Sequence, residues 1–180
     1  MLNVIVALVS LTLCLPILLL LALLIKLSSP GPVIYRQMRV GIDRRVPFQV
    51  NTNGRRQVDY GGRLFTIYKF RTMVADSGTD QVWAAPNDAR VTPIGRVLRH
   101  YRLDELPQLF NVLKGDMNIV GPRPERPSIF ARLRSDIREY PLRQLAKPGI
   151  TGWAQINTDY DQSIEDVRRK VRYDLEYIRN

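Results

Sequence analysis

The stretch RHYRLDELPQLFNVLKGDMNIVGPRP, residues 99 to 124, decides how the chain is read. It sets an adjacent carboxylate pair, Asp104 and Glu105, directly after three basic or potentially basic side chains, Arg99, His100 and Arg102. Read locally, LDELPQLFNVLKG scans as a capped helix. Asp104 is the cap, Glu105 lies in the first turn, and Leu106, Leu109, Phe110 and Leu113 are apolar. Lys114 then falls in the last turn and Gly115 at the stop. Asp caps are common, so the pair has a purely structural explanation. It also has a chemical one. A helix amino terminus offers free N–H groups and the positive end of its dipole to an anion. Carboxylates set among cations can hold a metal or attack phosphorus while the bases neutralise a phosphate. Pro107 removes one of the donors, and a proline-bracketed arginine, Arg123, closes the stretch.

Composition favours the chemical reading. At 180 residues the chain is about one domain. Twenty-seven Lys and Arg against 17 Asp and Glu give a net charge of +10, which points to nucleic acid, a phosphorylated metabolite or lipid headgroups. His100 is the only histidine and Cys14 the only cysteine, so no intrachain disulfide and no His/Cys metal cluster can form. A reducing compartment fits. No Walker loop, dinucleotide fingerprint or nucleophile-elbow serine is present, and Gly61-Gly62 matches no phosphate-binding fingerprint. The carboxylates remain as the candidates for covalent or metal chemistry.

Upstream, no charged residue lies between Val4 and Ile25. VIVALVSLTLCLPILLLLALLIK has the length of a bilayer-crossing helix. It lacks the basic lead-in and small-residue cleavage site of a signal peptide. Pro16 sits near its middle, where it removes a backbone hydrogen bond and crowds the preceding turn, so the helix should kink. The segment either spans with a bend or dips into one leaflet and returns; the residues alone favour spanning. In both geometries the basic remainder is expected on the cytoplasmic side.

Between the anchor and the central stretch, Ser28 to Pro32 reads as a turn. Strand character follows at Val33 and Tyr35, around Phe48 to Val50, and in Arg63 to Phe70, where Phe65, Ile67 and Lys69 share a face. NTNGRRQVDYGG reads as a loop. Lys69 and Arg71 flank Phe70 as a solvated or lipid-facing basic edge or as phosphate ligands. Residues 74 to 92 read as a surface loop; the sequence leaves open whether Trp83 and the Ala84-Ala85-Pro86 step rest at a membrane interface. Thr92-Pro93 starts a helix whose Ile94, Val97, Leu98 and Tyr101 form one apolar face beside Arg96 and Arg99, a helix suited to an anionic membrane surface. Downstream, SIFARLRSDIREY reads as a surface helix, and Trp153 as a tryptophan buried under a loop. Ser163 to Asp166 opens a final helix with a Val167, Val171, Leu175, Ile178 stripe.

Together the motifs KLSSPGPVIYRQ, IYKFRTM, LRHYRLDELPQLFNVLKGDMNIVGPRP, KPGITGWAQIN and YDLEYI resemble the catalytic domain of the monotopic bacterial sugar transferases. These polyprenol-phosphate phosphoglycosyl transferases begin exopolysaccharide, capsule, O-antigen and related glycoconjugate synthesis. The resemblance implies an α+β fold, mainly helical, with a small β-hairpin, amphipathic interfacial helices, a re-entrant membrane helix over residues 1–27 and a cytoplasmic-face catalytic domain over residues 28–180. It implies Asp104 as nucleophile, Glu105 as its dyad partner, Mg2+ at the dyad, and Arg99, Arg123 and Lys69 as substrate-phosphate ligands. It reverses the preference at Pro16 toward a helix broken there within one leaflet. The implied partners are a UDP-sugar, undecaprenyl or another polyprenol phosphate, and the bacterial inner membrane, without nucleic acid; self-association is compatible with the sequence. Two features depart from the family. Leu15 stands where many members have serine before the proline, and the chain begins at the apolar run and stops at Asn180, as a short member or a piece of a longer chain would. The rival readings are a membrane-anchored, non-enzymatic module that binds nucleic acid or other anions, and a membrane-bound metal hydrolase using the same acids.

Overall fold

A computed structural model describes residues 1–44, 62–74, 88–158 and 163–180. The expected strand around Phe48 to Val50, the NTNGRRQVDYGG loop up to Gly61, and Trp83 lie outside the described residues. The chain resolves into two compact units, Met1–Arg36 with Tyr68–Asn111, and Gln37–Ile67 with Val112–Asn180. The fold is α+β, as expected, with α1 in the same unit as the carboxylate pair. The expected division at residue 27 separates environments, whereas these units follow packing.

Helix α1 (Leu2–Ser28) is the apolar run. Its mean hydropathy of 3.0 and its length suffice to cross a membrane. Ala7, Leu11, Leu18, Leu21 and Ile25 are its buried positions; at 3.6 residues per turn they fall within a stripe about 80° wide. Most of the remaining surface is exposed leucine, isoleucine and valine. The helical backbone runs unbroken through Pro16, which lies on the exposed side away from the stripe. Four residues earlier the Thr12 hydroxyl donates to the Leu8 carbonyl at 3.0 Å, a back-bond that itself favours bending.

Strands β1 (Ile34–Val40) and β2 (Leu64–Phe70) pair as a two-stranded sheet. The Arg71 N–H donates to Val33 O at one end and the Gly41 N–H to Arg63 O at the other, so they run antiparallel. Phe65 and Ile67 are buried as their alternation requires.

Helix α2 (Pro93–His100) starts as the sequence indicates, with the Thr92 hydroxyl accepting from the Gly95 N–H at 3.0 Å and Pro93 in the first turn. Its expected single apolar face is split. Leu98 and Gly95 are buried, while Val97 and Tyr101 are exposed. Gly95 directs the packing, because a Cβ there would collide with the Thr72 backbone.

In the second unit, α4 (Pro127–Asp136) and α6 (Ile164–Arg179) enclose a core of Phe130, Leu133, Ile137, Tyr140, Val167 and Val171 with Val40. The expected solvated helix is thus amphipathic. Ser163 and Asp166 form a reciprocal capping box on α6. A buried ion pair joins Arg143, on a 3-10 helix over Tyr140–Leu145, to Asp174 at 2.5 Å. Burial opposes the Arg143 charge most strongly, but Asp174, Tyr140 and Glu125 together outweigh it and raise the guanidinium further above its usual value.

Three-residue strands β3 (Asn118–Val120) and β4 (Gly149–Thr151) pair in parallel. Gly121, Gly149 and Gly152 permit this, since a Cβ on any of them would strike the facing backbone. Trp153, expected to be buried, opens α5 (Trp153–Asn157) 41% exposed, its indole N–H donating to Glu176 at 3.2 Å. The indole meets its polar partner at the surface, which a buried position would deny it.

Candidate active site

The carboxylate pair does not cap an α-helix. Leu103–Gln108 forms a 3-10 helix, and α3 (Leu109–Leu113) follows it. The residue at the amino-terminal boundary is Arg102, in the left-handed conformation at φ 57°. The reason is local. The Glu105 N–H closes a tight i−3 bond to Arg102 O at 3.2 Å, and Pro107 has no N–H with which to continue an α-helical ladder. Asp104 and Glu105 therefore occupy the first turn, and neither side chain serves as a cap.

The two acids have opposite surroundings. Glu105 receives the Lys69 ammonium at 2.6 Å and has Arg102 at 4.0 Å. Asp104 is 8% exposed, and no described residue donates a hydrogen bond to it or forms an ion pair with it. Burial raises its carboxyl above the ordinary aspartate value; Lys69 is the strongest opposing influence, Glu105 adds to the rise, and Arg99 and Arg102 oppose it more weakly. A carboxylate with few direct partners keeps its lone pairs available, while the cations nearby favour its charged form.

Each cation is placed by a different element. Lys69 comes from β2, Arg99 from α2 and Arg102 from the left-handed turn. Arg99 Nε donates to the Thr72 hydroxyl at 2.9 Å, which orients its guanidinium. Gln108 lies one 3-10 turn beyond Glu105; it is 2% exposed, and its buried side-chain nitrogen has no hydrogen-bond partner among the described residues. Nothing in its sequence context singles it out. Asn111, fully buried, accepts from the Tyr68 N–H at 3.1 Å and ties α3 to β2.

Arg71, read with Lys69 as a basic edge, does something else. It is 5% exposed, and its guanidinium donates to Ile25 O, Ser29 O and Pro30 O at the end of α1. Arg123 belongs to the second unit. Its backbone is pinned by the Gly149 N–H on Pro122 O, by the Val40 N–H on Glu125 O and by Arg143 on its own carbonyl. Among the described residues no group of three or more His, Cys, Asp or Glu gathers as a metal site. Asp104 and Glu105 offer two carboxylates, which fits Mg2+, a metal usually held by one or two carboxylates together with substrate phosphates.

The sequence matches the bacterial sugar transferase family across residues 1–180. It is 41% identical over 179 residues to a UDP-N-acetylgalactosamine-undecaprenyl-phosphate N-acetylgalactosaminephosphotransferase of Aeromonas hydrophila, covering 99% of this chain and 38% of that one. It is 43% identical over 180 residues to a UDP-glucose:undecaprenyl-phosphate glucose-1-phosphate transferase of Escherichia coli (strain K12), covering 98% and 35%. A transferase of the same name from Caulobacter vibrioides is 42% identical over 166 residues, covering 91% and 55%. The chain thus spans between about a third and just over half the length of these relatives. The match covers the apolar helix α1, the carboxylate pair and the final helix together, and the chain belongs to the bacterial sugar transferase family.

Proposed function

We propose that the chain is the catalytic part of a membrane phosphoglycosyl transferase that moves a sugar 1-phosphate from a UDP-sugar to a polyprenol phosphate. The observation that carries this is the asymmetry of the dyad. Asp104 is buried without a direct partner among the described residues, while Glu105 is held by Lys69 at 2.6 Å. In the first half-reaction an Asp104 oxygen bonds to the β-phosphorus, the bridging P–O bond breaks, and UMP leaves with the electron pair. In the second, an oxygen of the polyprenol phosphate attacks the same phosphorus, the aspartyl–phosphorus bond breaks, and the carboxylate is restored. Splitting the transfer lets one carboxylate serve two large substrates in turn.

Arg99, Arg102 and Lys69 offset the charge that accumulates beside Asp104. Arg123, an expected phosphate ligand, is assigned to the substrate diphosphate on the resemblance alone. Asp104 and Glu105 would hold Mg2+, which when bound supplies Lewis-acid neutralisation of phosphate oxygens. The relatives' names carry two different sugars at nearly equal identity, which supports UDP-sugars as a class. A transferase product of this kind begins an exopolysaccharide or related glycan. None of those names supports the non-enzymatic anion-binding reading.

The anchor follows from the same reading. α1 inserts from the cytoplasmic face of the bacterial inner membrane and bends at Pro16 within one leaflet, so that the active site stays at headgroup level, where a lipid phosphate lies. Proline and the Thr12 back-bond both favour the bend. The position of Pro16 opposite the buried stripe turns the curve toward the protein.

Asp104→Asn tests the assignment. With UDP-sugar labelled in its sugar phosphate, the wild type should retain label covalently and release UMP, and the variant should do neither. Label on the variant would refute Asp104 as nucleophile. Release of free sugar phosphate without an acceptor would favour the hydrolase.

A further inference from the structure

The last residues of β2 and the two that follow it, Lys69-Phe70-Arg71-Thr72, tie together three parts of the first unit. Lys69 holds Glu105 at 2.6 Å. The Thr72 carbonyl accepts from the Thr92 N–H at 3.0 Å and its hydroxyl from Arg99 at 2.9 Å. Between them Arg71 reaches back to α1, with Nη1 on Pro30 O at 2.6 Å and Nη2 on Ser29 O at 2.7 Å and Ile25 O at 3.2 Å.

The last carbonyls of a helix have no partner within it. At the edge of a hydrocarbon layer they cannot rely on water to supply one. Beyond Ser28 the chain turns extended, with Ser29 at φ −164° and ψ 152°; Ile25 O also accepts from the Ser28 hydroxyl at 3.0 Å, while the Ser29 and Pro30 carbonyls lie past the helix, so one side chain meets carbonyls from two backbone conformations. A planar guanidinium with several fixed donors can do this; an ammonium on a flexible stem cannot hold the same spread. The cation also lies at the negative end of the helix dipole. Lys69 is in β2 and Arg71 is the first residue past its end, with Phe70 alone between them. A displacement of α1 would therefore reach the dyad through a single intervening residue.

We infer that Arg71 is a positioning residue that sets the distance between the carboxyl end of α1 and the Asp104-Glu105 dyad, and so aligns the dyad with the phosphate of a membrane-embedded acceptor. The inference rests on the transferase reading above. It separates the two half-reactions. A water-soluble UDP-sugar can follow the dyad wherever it sits, but the phosphate of a long-chain lipid is held at headgroup depth and cannot.

The test uses the full chain in phospholipid vesicles, as wild type, Arg71→Met and Arg71→Lys. Three rates are measured: charging of the protein from labelled UDP-sugar without acceptor, discharge to undecaprenyl phosphate in the bilayer, and discharge to a short-chain, water-soluble polyprenol phosphate. For Arg71→Met, charging and short-chain discharge should stay within about threefold of wild type while long-chain discharge falls about 10- to 100-fold, the scale of an ångström-level misplacement. Arg71→Lys should lie between. Parallel loss of charging and discharge in both variants would make Arg71 a folding residue only and overturn the inference. So would an equal loss with the two acceptors, or normal long-chain discharge. A wild type that never charges would instead overturn the transferase reading.

Discussion

Replacing Lys69 by methionine removes one partner of a buried ion pair and leaves Glu105 in place. The pair is short, 2.6 Å, and its side chains are 16% and 7% exposed. At an effective dielectric near 20 the direct attraction is about 6 kcal/mol. Part of this offsets desolvation, and breaking a buried pair from one side costs about 3–5 kcal/mol. Arg102, at 4.0 Å and 56% exposed, can turn toward the abandoned carboxylate and return up to about 1 kcal/mol. A net loss of about 3 kcal/mol remains, which for a chain of this size lowers the thermal midpoint by about 6–12 °C. The assay is a double-mutant cycle of Lys69→Met, Glu105→Gln and both together, melted in one detergent. The double variant should recover most of the loss, because a neutral amide does not require the cation. Lys69→Met should also move the acid limb of UMP release to higher pH, since Lys69 is the main influence holding the Asp104 carboxyl down against burial. A midpoint within about 2 °C of wild type, or a double variant no more stable than Lys69→Met, would refute the pairing argument.

Two further predictions concern the nucleophile and the anchor. Burial raises the Asp104 carboxyl above 3.8, so the protonated form is the better accommodated one in the fold. The stability this gives is complete below the unfolded value and is lost as pH rises through the folded one. Asp104→Asn, inactive by assignment, should therefore melt higher than wild type at pH 7 and equal to it near pH 3, a crossover that calorimetry would show or exclude. For the anchor, Asn3→Cys in a Cys14→Ser background places a lone thiol at the start of α1. A one-leaflet helix exposes that thiol to impermeant maleimide only from the face that carries the catalytic residues, whereas labelling from the opposite face would establish a spanning helix.

Much of the chain was legible in order. The apolar run, the Thr92-Pro93 start, the Ser163 capping box, the alternation in β2 and the candidate dyad all depend on neighbours within a few residues. Periodicity and capping chemistry report such neighbours directly. The cap reading of Asp104 failed for an equally local reason: the left-handed Arg102 and Pro107 tighten the segment into a 3-10 turn, and an aspartate in a periodic pattern looks the same in either geometry.

What only the tertiary structure decided is which partner each charged side chain takes. Lys69 and Arg71 are two residues apart and both cationic, yet one grips Glu105 and the other the carbonyls closing α1. The β3–β4 pair, built from two three-residue strands on three close-packed glycines, has no periodicity to announce it. The sequence by itself determined the elements and the residue types available for phosphate chemistry, because these follow from local pattern and composition. The fold decided that Glu105 is neutralised while Asp104 is left buried among cations, because pairing across 36 residues of chain depends on how β2 lies against the 3-10 turn.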